Sequence, residues 1–422
     1  MKGLDRRAVG PARSVDVPET ALVLGNYRAG LTAARRLKRL GYRVVVGKAP
    51  DSYCAERSRF VDQMWEAPAP HDPEFGEVVL EFLGEHPDVS VVVPVLEPYM
   101  DVLAAMADDM DEKVAVTMPA PKVVAICHDK HRWFQFTSEA GVDNPRFGLA
   151  ADRDELVGLV REIGCPVVIK PTEGGKRLGR LKAITINDER DLDYQLPEWP
   201  RDHRALMVQR RFEGQRYNIY FAALEGAILR EQTSLSLRTA RFDGSGQTVE
   251  GVTRPAIPSL SADLAVVAAK LEYSGVGCAQ YLYDEASGQS LFLEINPRFG
   301  ASYAIVEHLG MDLTGLAIEL SHKRPPAMAA RPPYESDSGT RFTWTYGDLA
   351  GLAESRARGD LTWRQAGRWL ASALRGAIRT RVHVTWSWRD PMPALSIPFK
   401  GVGTWLAIKA HRPVARSARA KG

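Results

Sequence analysis

Residues 291–300 read Leu-Phe-Leu-Glu-Ile-Asn-Pro-Arg-Phe-Gly, LFLEINPRFG. The first three are apolar and read as a buried strand. Glu294, Asn296 and Arg298 then follow at alternate positions. Residues two apart on a strand point to the same face. A carboxylate, an amide and a guanidinium therefore share one face where an apolar strand ends. Either the carboxylate is a hydrogen-bonded strand end with Arg298 as its ion-pair partner, or the group holds a metal. Hard oxygen donors such as Glu294 and Asn296 suit Mg²⁺, which is normally shared with substrate phosphates.

The segment before it, Val276–Tyr283, pairs naturally with Ser290–Ile295 across the turn DEASGQ. This hairpin partner offers Gln280. The amide joins Glu294 and Asn296 only if the register brings the two faces together.

The chain around this hairpin is long and ordinary in composition. Its 422 residues exceed one core and predict about two to four domains. With 45% hydrophobic and 25% charged residues it should be globular. A net charge of +3 is too small to argue for nucleic acid as a partner. Cys54, Cys127, Cys165 and Cys278 are scattered, with no Cys-x-x-Cys pair. They suggest neither structural zinc nor a disulfide framework, and the expectation is reduced thiols in the cytoplasm. The charged start lacks the apolar core of a signal peptide. No run of about 18 apolar residues predicts a membrane span.

Ala21–Leu24, a turn GNYRAG (25–30), a helical stripe through Leu31, Ala34, Leu37 and Leu40, and Tyr42–Val46 form one βαβ unit. Val89–Val95 and Lys113–Met118 read as further parallel strands. GNYRAG is a poor dinucleotide fingerprint, since Tyr27 stands where the second glycine should admit a pyrophosphate. From Ala120 onward, strands are expected at Pro166–Lys170, Leu181–Ile186, Leu206–Phe212, Asn218–Leu224 and Ala227–Leu229. Helices are expected near Asp154–Ile163, Asp263–Leu271 and Trp363–Ala377. Lys170 closes an apolar strand and leads into PTEGGKRLGR, where Gly174 and Gly175 let backbone N–H groups close around phosphate. Each such feature alone is more ordinary as a surface loop or a solvated lysine.

Taken together they resemble the ATP-grasp superfamily. The matching pieces stand in the family's order: DKHRWF (129–134), VVIKPTEGGKRLG (167–179), MVQRRFEGQRYNIYF (207–221), GCAQYLY (277–283) and LFLEINPRFG. The resemblance covers about Ala21–Arg324. It implies α/β and α+β architecture: an open parallel-sheet pre-ATP-grasp domain at 19–120, then a two-lobed ATP-grasp fold at 121–325. The lobes divide near residue 204. A flexible tail (1–18) and a C-terminal helical extension (326–422) flank them.

The resemblance also implies roles. Lys130 and Lys170 would touch the phosphates of ATP, with Gly174 and Gly175 in the loop that covers them. Gln209, Arg210 and Phe212 would lie at the adenine hinge. Gln280, Glu294 and Asn296 would hold Mg²⁺ or Mn²⁺, and Arg298 would stabilise the transferred phosphoryl group. Two positions depart from the pattern. Gln280 stands where an acid is common, although carbamoyl-phosphate-synthetase-like members also use Gln. Gln215 and Arg216 occupy the usual place of a ribose-binding Glu.

The implied reaction couples a small-molecule carboxylate to an amine through an acyl phosphate, with ADP and phosphate released. Activation of bicarbonate, as in carbamoyl-phosphate synthetase, and a non-catalytic nucleotide-binding scaffold are the alternatives. Related ligases are often homodimers. Arg238, Arg241 and Arg254 are candidates to receive a substrate carboxylate, and Asn26, Arg28 and Glu97 stand near strand ends of the front sheet. The basic tail beyond Trp405 is either merely solvated or drawn to an anionic surface.

Overall fold

The structure is a computed structural model that describes residues 18–397, apart from 51, 173–175, 180, 182, 243, 245 and 323–333. Gly174, Gly175, the first seventeen residues and the basic tail from 398 lie outside the described residues.

The front sheet is built from β1 (Thr20–Leu24), β2 (Arg43–Lys48), β3 (Gln63–Glu66), β4 (Val89–Pro94) and β5 (Ala115–Val116). Its order is β3-β2-β1-β4-β5 and every pairing is parallel. Helices α1 (Arg28–Arg39), α2 (Phe75–Glu85) and α3 (Glu97–Ala105) cross between the strands. All five residues of β1 are buried, as a central parallel strand covered on both faces requires. Arg36, Lys38 and Arg39 occupy the last turn of α1, where they favour the helix dipole.

The glycines of GNYRAG have a packing reason. Gly25 has φ +114°, and a Cβ there would meet Val95 Cγ2 at 2.8 Å. A Cβ on Gly30 would sit 2.4 Å from the Gly25 carbonyl oxygen. The turn is therefore glycine-rich because strand and helix approach closely, which accounts for its partial likeness to a nucleotide fingerprint.

After α4 (Pro121–His128) and α5 (Lys130–Glu139) comes a small antiparallel sheet. It holds β6 (Phe147–Ala150), β7 (Val167–Pro171), β8 (Ile184–Ile186) and β9 (Leu206–Arg210), ordered β6-β9-β7-β8. Helices α6 (Arg153–Ile163) and α7 (Glu189–Gln195) accompany it. This lobe has its own core, in which Leu156, Val160, Ile169, Ile186, Leu192 and Val208 are buried together. The strand expected at Leu181–Ile186 is confined to its last three residues.

The large sheet has seven strands, ordered β14-β13-β10-β11-β12-β15-β16. They are β10 (Gln215–Leu224), β11 (Ala227–Thr239), β12 (Thr248–Arg254), β13 (Gly275–Tyr283), β14 (Ser290–Asn296), β15 (Arg341–Thr343) and β16 (Val382–His383). Four helices border it: α8 (Pro258–Leu271), α9 (Ala304–His308), α10 (Leu313–Ser321) and α11 (Thr345–Arg358). Beyond these, α12 (Trp363–Arg379) starts on a capping box formed by Thr362 and Gln365.

One face of this sheet packs on α8 and α5 through Phe221, Leu264, Tyr281 and Trp133. The other joins the front sheet and α10 in one core, through Tyr220, Val276, Ala33, Val44 and Leu316. The front domain and the large sheet are thus welded together, while the small sheet is cored separately.

Two differences from the sequence reading stand out. The short strand expected at Ala227–Leu229 runs thirteen residues, and β12 was not foreseen. Gln232, Thr233 and Ser234 are fully buried in β11, so polarity hides the strand. Gln232 is satisfied from outside the sheet. Its amide donates to the Asp337 carbonyl at 2.8 Å and accepts from Tyr334 Oη at 2.6 Å and Asp337 N at 2.7 Å. Second, the chain beyond the proline-rich segment returns to the same sheet. Phe342 of β15 lies over Gly251 of β12, where a Cβ would meet Phe342 Cζ at 2.3 Å.

Phe342 is buried in the shared core, with that glycine against its ring. Phe342→Ala should therefore cost about 3–5 kcal/mol of stability. Urea unfolding followed by fluorescence should show a lowered midpoint; an unchanged midpoint would mean that β15 is not part of the cooperative core.

Candidate functional site

The β13–β14 register decides whether the polar side chains of the two strands meet. Cys278 faces Asn296, Ala279 faces Ile295 and Gln280 faces Glu294. A bulge follows at once, because Tyr281 faces Phe292 and Leu293 is left over. Gln280, Glu294 and Asn296 consequently lie on one face. The row continues inward, since Gln280 faces Asn218 on β10 and Asn218 faces Ser234 on β11. Asn218 was not singled out from sequence. Its parity with Tyr220 on β10 was the available signal.

Asn296 Nδ2 donates to Glu294 Oε1 at 3.0 Å. Asn296 Oδ1 accepts from Arg298 Nη2 at 3.0 Å. Arg298 does not pair with Glu294. Its Nη2 instead reaches Glu97 Oε1, 3.0 Å away, at the start of α3 in the front domain. Glu294 has no cation within 4 Å among the described residues, and Gln280 makes no side-chain hydrogen bond to any of them. The ion-pair alternative raised by the sequence is therefore not realised. Arg298 Nε is buried without a partner, an atom that a bound group would satisfy.

Lys170 ends β7 on the facing lobe. Its Nζ donates to Gln209 Oε1 on β9 at 2.9 Å and stands 4.8 Å from the centroid of the Phe134 ring. Gln209 is buried, and its Nε2 has no partner. Although the side chain is half-buried by area, protein atoms crowd its ammonium. This desolvation, with the charge of Lys130 added, pulls Lys170 down to about 7, and the Glu294 carboxylate opposes the shift. Lys130 and Glu294, from two other segments, thus both act on Lys170.

Helix α5 brings them together. The Asp129 side chain caps it by accepting from His131 N and Arg132 N, so that Lys130 falls at its first position. Lys130 N donates to Thr172 O at 3.0 Å, which ties the helix start to the end of β7. One turn on, Trp133 Nε1 donates to Phe292 O of β14 at 3.1 Å, with the two rings edge to face at 5.0 Å. Burial, with the Glu294 carboxylate adding to it, raises the Cys127 thiol. Burial pushes Cys278 up to about 12, with Arg298 pulling down and Glu294 pushing up.

The other candidates are held elsewhere. Arg210 Nη1 donates to the carbonyls of Gly164 (2.6 Å) and Cys165 (2.7 Å) beyond the C-terminus of α6. Its guanidinium is a structural tie, leaving backbone as its contribution to a hinge. Phe212 packs against the core that holds Tyr217, and Gly214 is needed because a Cβ would meet the Tyr283 backbone at 2.9 Å. Arg216 turns away to the Gly246 carbonyl at 2.6 Å. Arg238 is consumed by Asp348 on both oxygens and by Glu250 at 2.9 Å, so it does not await a substrate. Asn26 binds Glu56 Oε1 and Ala55 N. Arg28 is buried over the Trp344 ring at 3.9 Å.

Among the described residues no group of three or more His, Cys, Asp or Glu could hold a metal. A donor set of one carboxylate and two amide oxygens fits a hard cation whose remaining ligands come from phosphates and water.

A parallel front sheet followed by two mainly antiparallel sheets is the ATP-grasp fold, and the chain has that fold. Residues 249–325 match the family model "Carbamoyl-phosphate synthase L chain, ATP binding domain". Biotin carboxylase 1 of Bacillus subtilis is 28% identical over 239 residues, 52% of each chain. Among solved structures, a biotin carboxylase from Campylobacter jejuni superposes with a TM-score of 0.61 at 17% identity. That match covers 76% of this chain and 74% of the other. An L-amino acid ligase from Bacillus licheniformis gives 0.57 at 14% identity, covering 72% and 74%. The chain spans less than two thirds of the length of the curated relatives it matches first.

The lowered Lys170 carries a stability signature. The unfolded chain keeps this proton up to the ordinary value of 10.5, while the folded chain releases it near 7. Between these values the unfolded state binds more protons, so stability rises with pH. Lys170→Met should abolish that rise. Urea midpoints should favour the variant below pH 7, and the difference should shrink toward pH 10. A difference independent of pH would return Lys170 to an ordinary surface value.

Proposed function

We propose that the protein is an ATP-dependent ligase that joins a carboxylate to an amine. The observation that carries this is the convergence of Lys130, Lys170 and Glu294, with Gln280 in register beside the carboxylate. Phosphoryl transfer asks chiefly for positioning and charge neutralisation. Lys130 and Lys170 would meet the triphosphate, whose charge restores full protonation to Lys170. Gly174 and Gly175 would close over it. Gln209, the Arg210 backbone and Phe212 would line the adenine side.

Mg²⁺, or Mn²⁺, would be held by Glu294 with the amide oxygens of Gln280 and Asn296, and would neutralise phosphate charge. Arg298 is fixed by Glu97 and Asn296 and would offer its remaining donors to the transferred group. In the reaction a substrate carboxylate oxygen attacks the γ-phosphorus and ADP leaves. The amine then attacks the acyl carbon, phosphate leaves, and the amine proton passes to solvent.

The similarity to an L-amino acid ligase supports an organic acid as the substrate. The carbamoyl-phosphate synthase model and the biotin carboxylase relatives favour a second reading, with bicarbonate as the activated acid. Purified protein with Mg-ATP and pools of amino acids and small acids should release ADP and phosphate only when one acid and one amine are both present. Release with bicarbonate alone would select the second reading. Glu294→Ala should abolish turnover, by at least about a thousandfold, because it removes the one metal-binding carboxylate. Its circular dichroism should be unchanged. Undiminished turnover would overturn the assignment.

A further inference from the structure

At about 100° per residue, helix α12 presents three faces. The first is docked. Ala373 and Gly376 are buried, and Trp369 Nε1 donates to Asp348 Oδ1 at 2.6 Å. The second carries Trp363, Leu370, Leu374 and Ile378, which are between 42% and 85% exposed. The third carries Arg364, Arg368, Arg375 and Arg379, all exposed. A surface helix normally turns its apolar stripe to the core. Here the helix is anchored by small residues and one tryptophan, and the large apolar side chains face outward.

Charge is segregated in the same region. From Trp363 to the C-terminus the sequence holds twelve Lys and Arg and a single acid, Asp390. The whole chain has a net charge of only +3, so everything before this segment is net negative. Asp390 is itself buried and spent on Arg35 at 2.9 Å. No helix of the described residues is long and apolar enough to cross a membrane.

We propose that α12 docks the protein in the plane of an anionic lipid bilayer. Leu370, Leu374 and Ile378 enter the acyl boundary, Trp363 lies at the headgroup level, and the arginines meet lipid phosphates. The helix has no acid with which to pair a second copy's arginines. A symmetric contact between two copies through this face would set arginine against arginine. An anionic surface satisfies both faces at once.

The test is flotation of the full chain with vesicles of phosphatidylcholine alone and with roughly 30% phosphatidylglycerol, at about 0.1 M salt. Binding should require the anionic lipid and fall as salt rises. Leu374→Glu/Ile378→Glu and Arg368→Gln/Arg375→Gln should each lower it about tenfold or more, with folding and any ATP turnover intact, since these side chains are exposed and take no part in the contacts described for the candidate site. Three results would overturn the proposal: no preference for anionic vesicles; binding unchanged in both variants but lost on removal of 398–422; or, without lipid, a dimer that the variants dissociate.

Discussion

The pairing of Gln280 with Glu294 is the contact on which the rest depends. A one-residue slip of β14 against β13 would turn Glu294 and Asn296 to the opposite face, into the core occupied by Phe292 and Tyr281. The bulge at Leu293 lets one strand satisfy two demands. Before it, Leu291 and Phe292 serve the core; after it, Glu294 and Asn296 serve the cleft. Trp133 reads the same strand from behind through the Phe292 carbonyl, so the helix that presents Lys130 is indexed to the strand that presents Glu294.

The site is a balance of charge that leaves room for more anion. Glu294 acts on Lys170 electrostatically without forming a salt bridge to it, and Arg298 is shared with Glu97 from the front domain. Lys170 bears the cost of this arrangement in its lowered proton affinity. A polyanion between the lobes would relieve it. The front domain and the large sheet share one core, whereas the small sheet, which carries Lys170 and Gln209, has its own.

Much of this was legible in the sequence. Apolar runs gave β1 and β4, which are parallel and almost wholly buried, and β7, central in its sheet, and the alternation of Glu294, Asn296 and Arg298 gave a shared face. The register did not follow from periodicity, because the bulge breaks it. The strand β11 was obscured by Gln232, Thr233 and Ser234, and the partners of Gln232, Tyr334 and Asp337, lie about a hundred residues later in the chain. The partner of Arg298 was equally hidden, since Glu97 opens a helix of the front domain about two hundred residues earlier. Arg238 and Arg210 look like free cations in sequence and are consumed by Asp348 and by the Gly164 and Cys165 carbonyls. The outward face of α12 was unreadable for the opposite reason: its pattern is that of any amphipathic helix, and only packing shows which face is docked.

In the proposed reaction a carboxylate oxygen of the substrate attacks the γ-phosphorus of ATP. This step is tested most directly by supplying the acid labelled with ¹⁸O in its carboxylate and measuring the released phosphate by mass spectrometry. The proposed reaction gives ADP and phosphate in equal amounts, with one carboxylate oxygen transferred to each phosphate. Unlabelled phosphate during amide formation, or AMP with pyrophosphate, would contradict it.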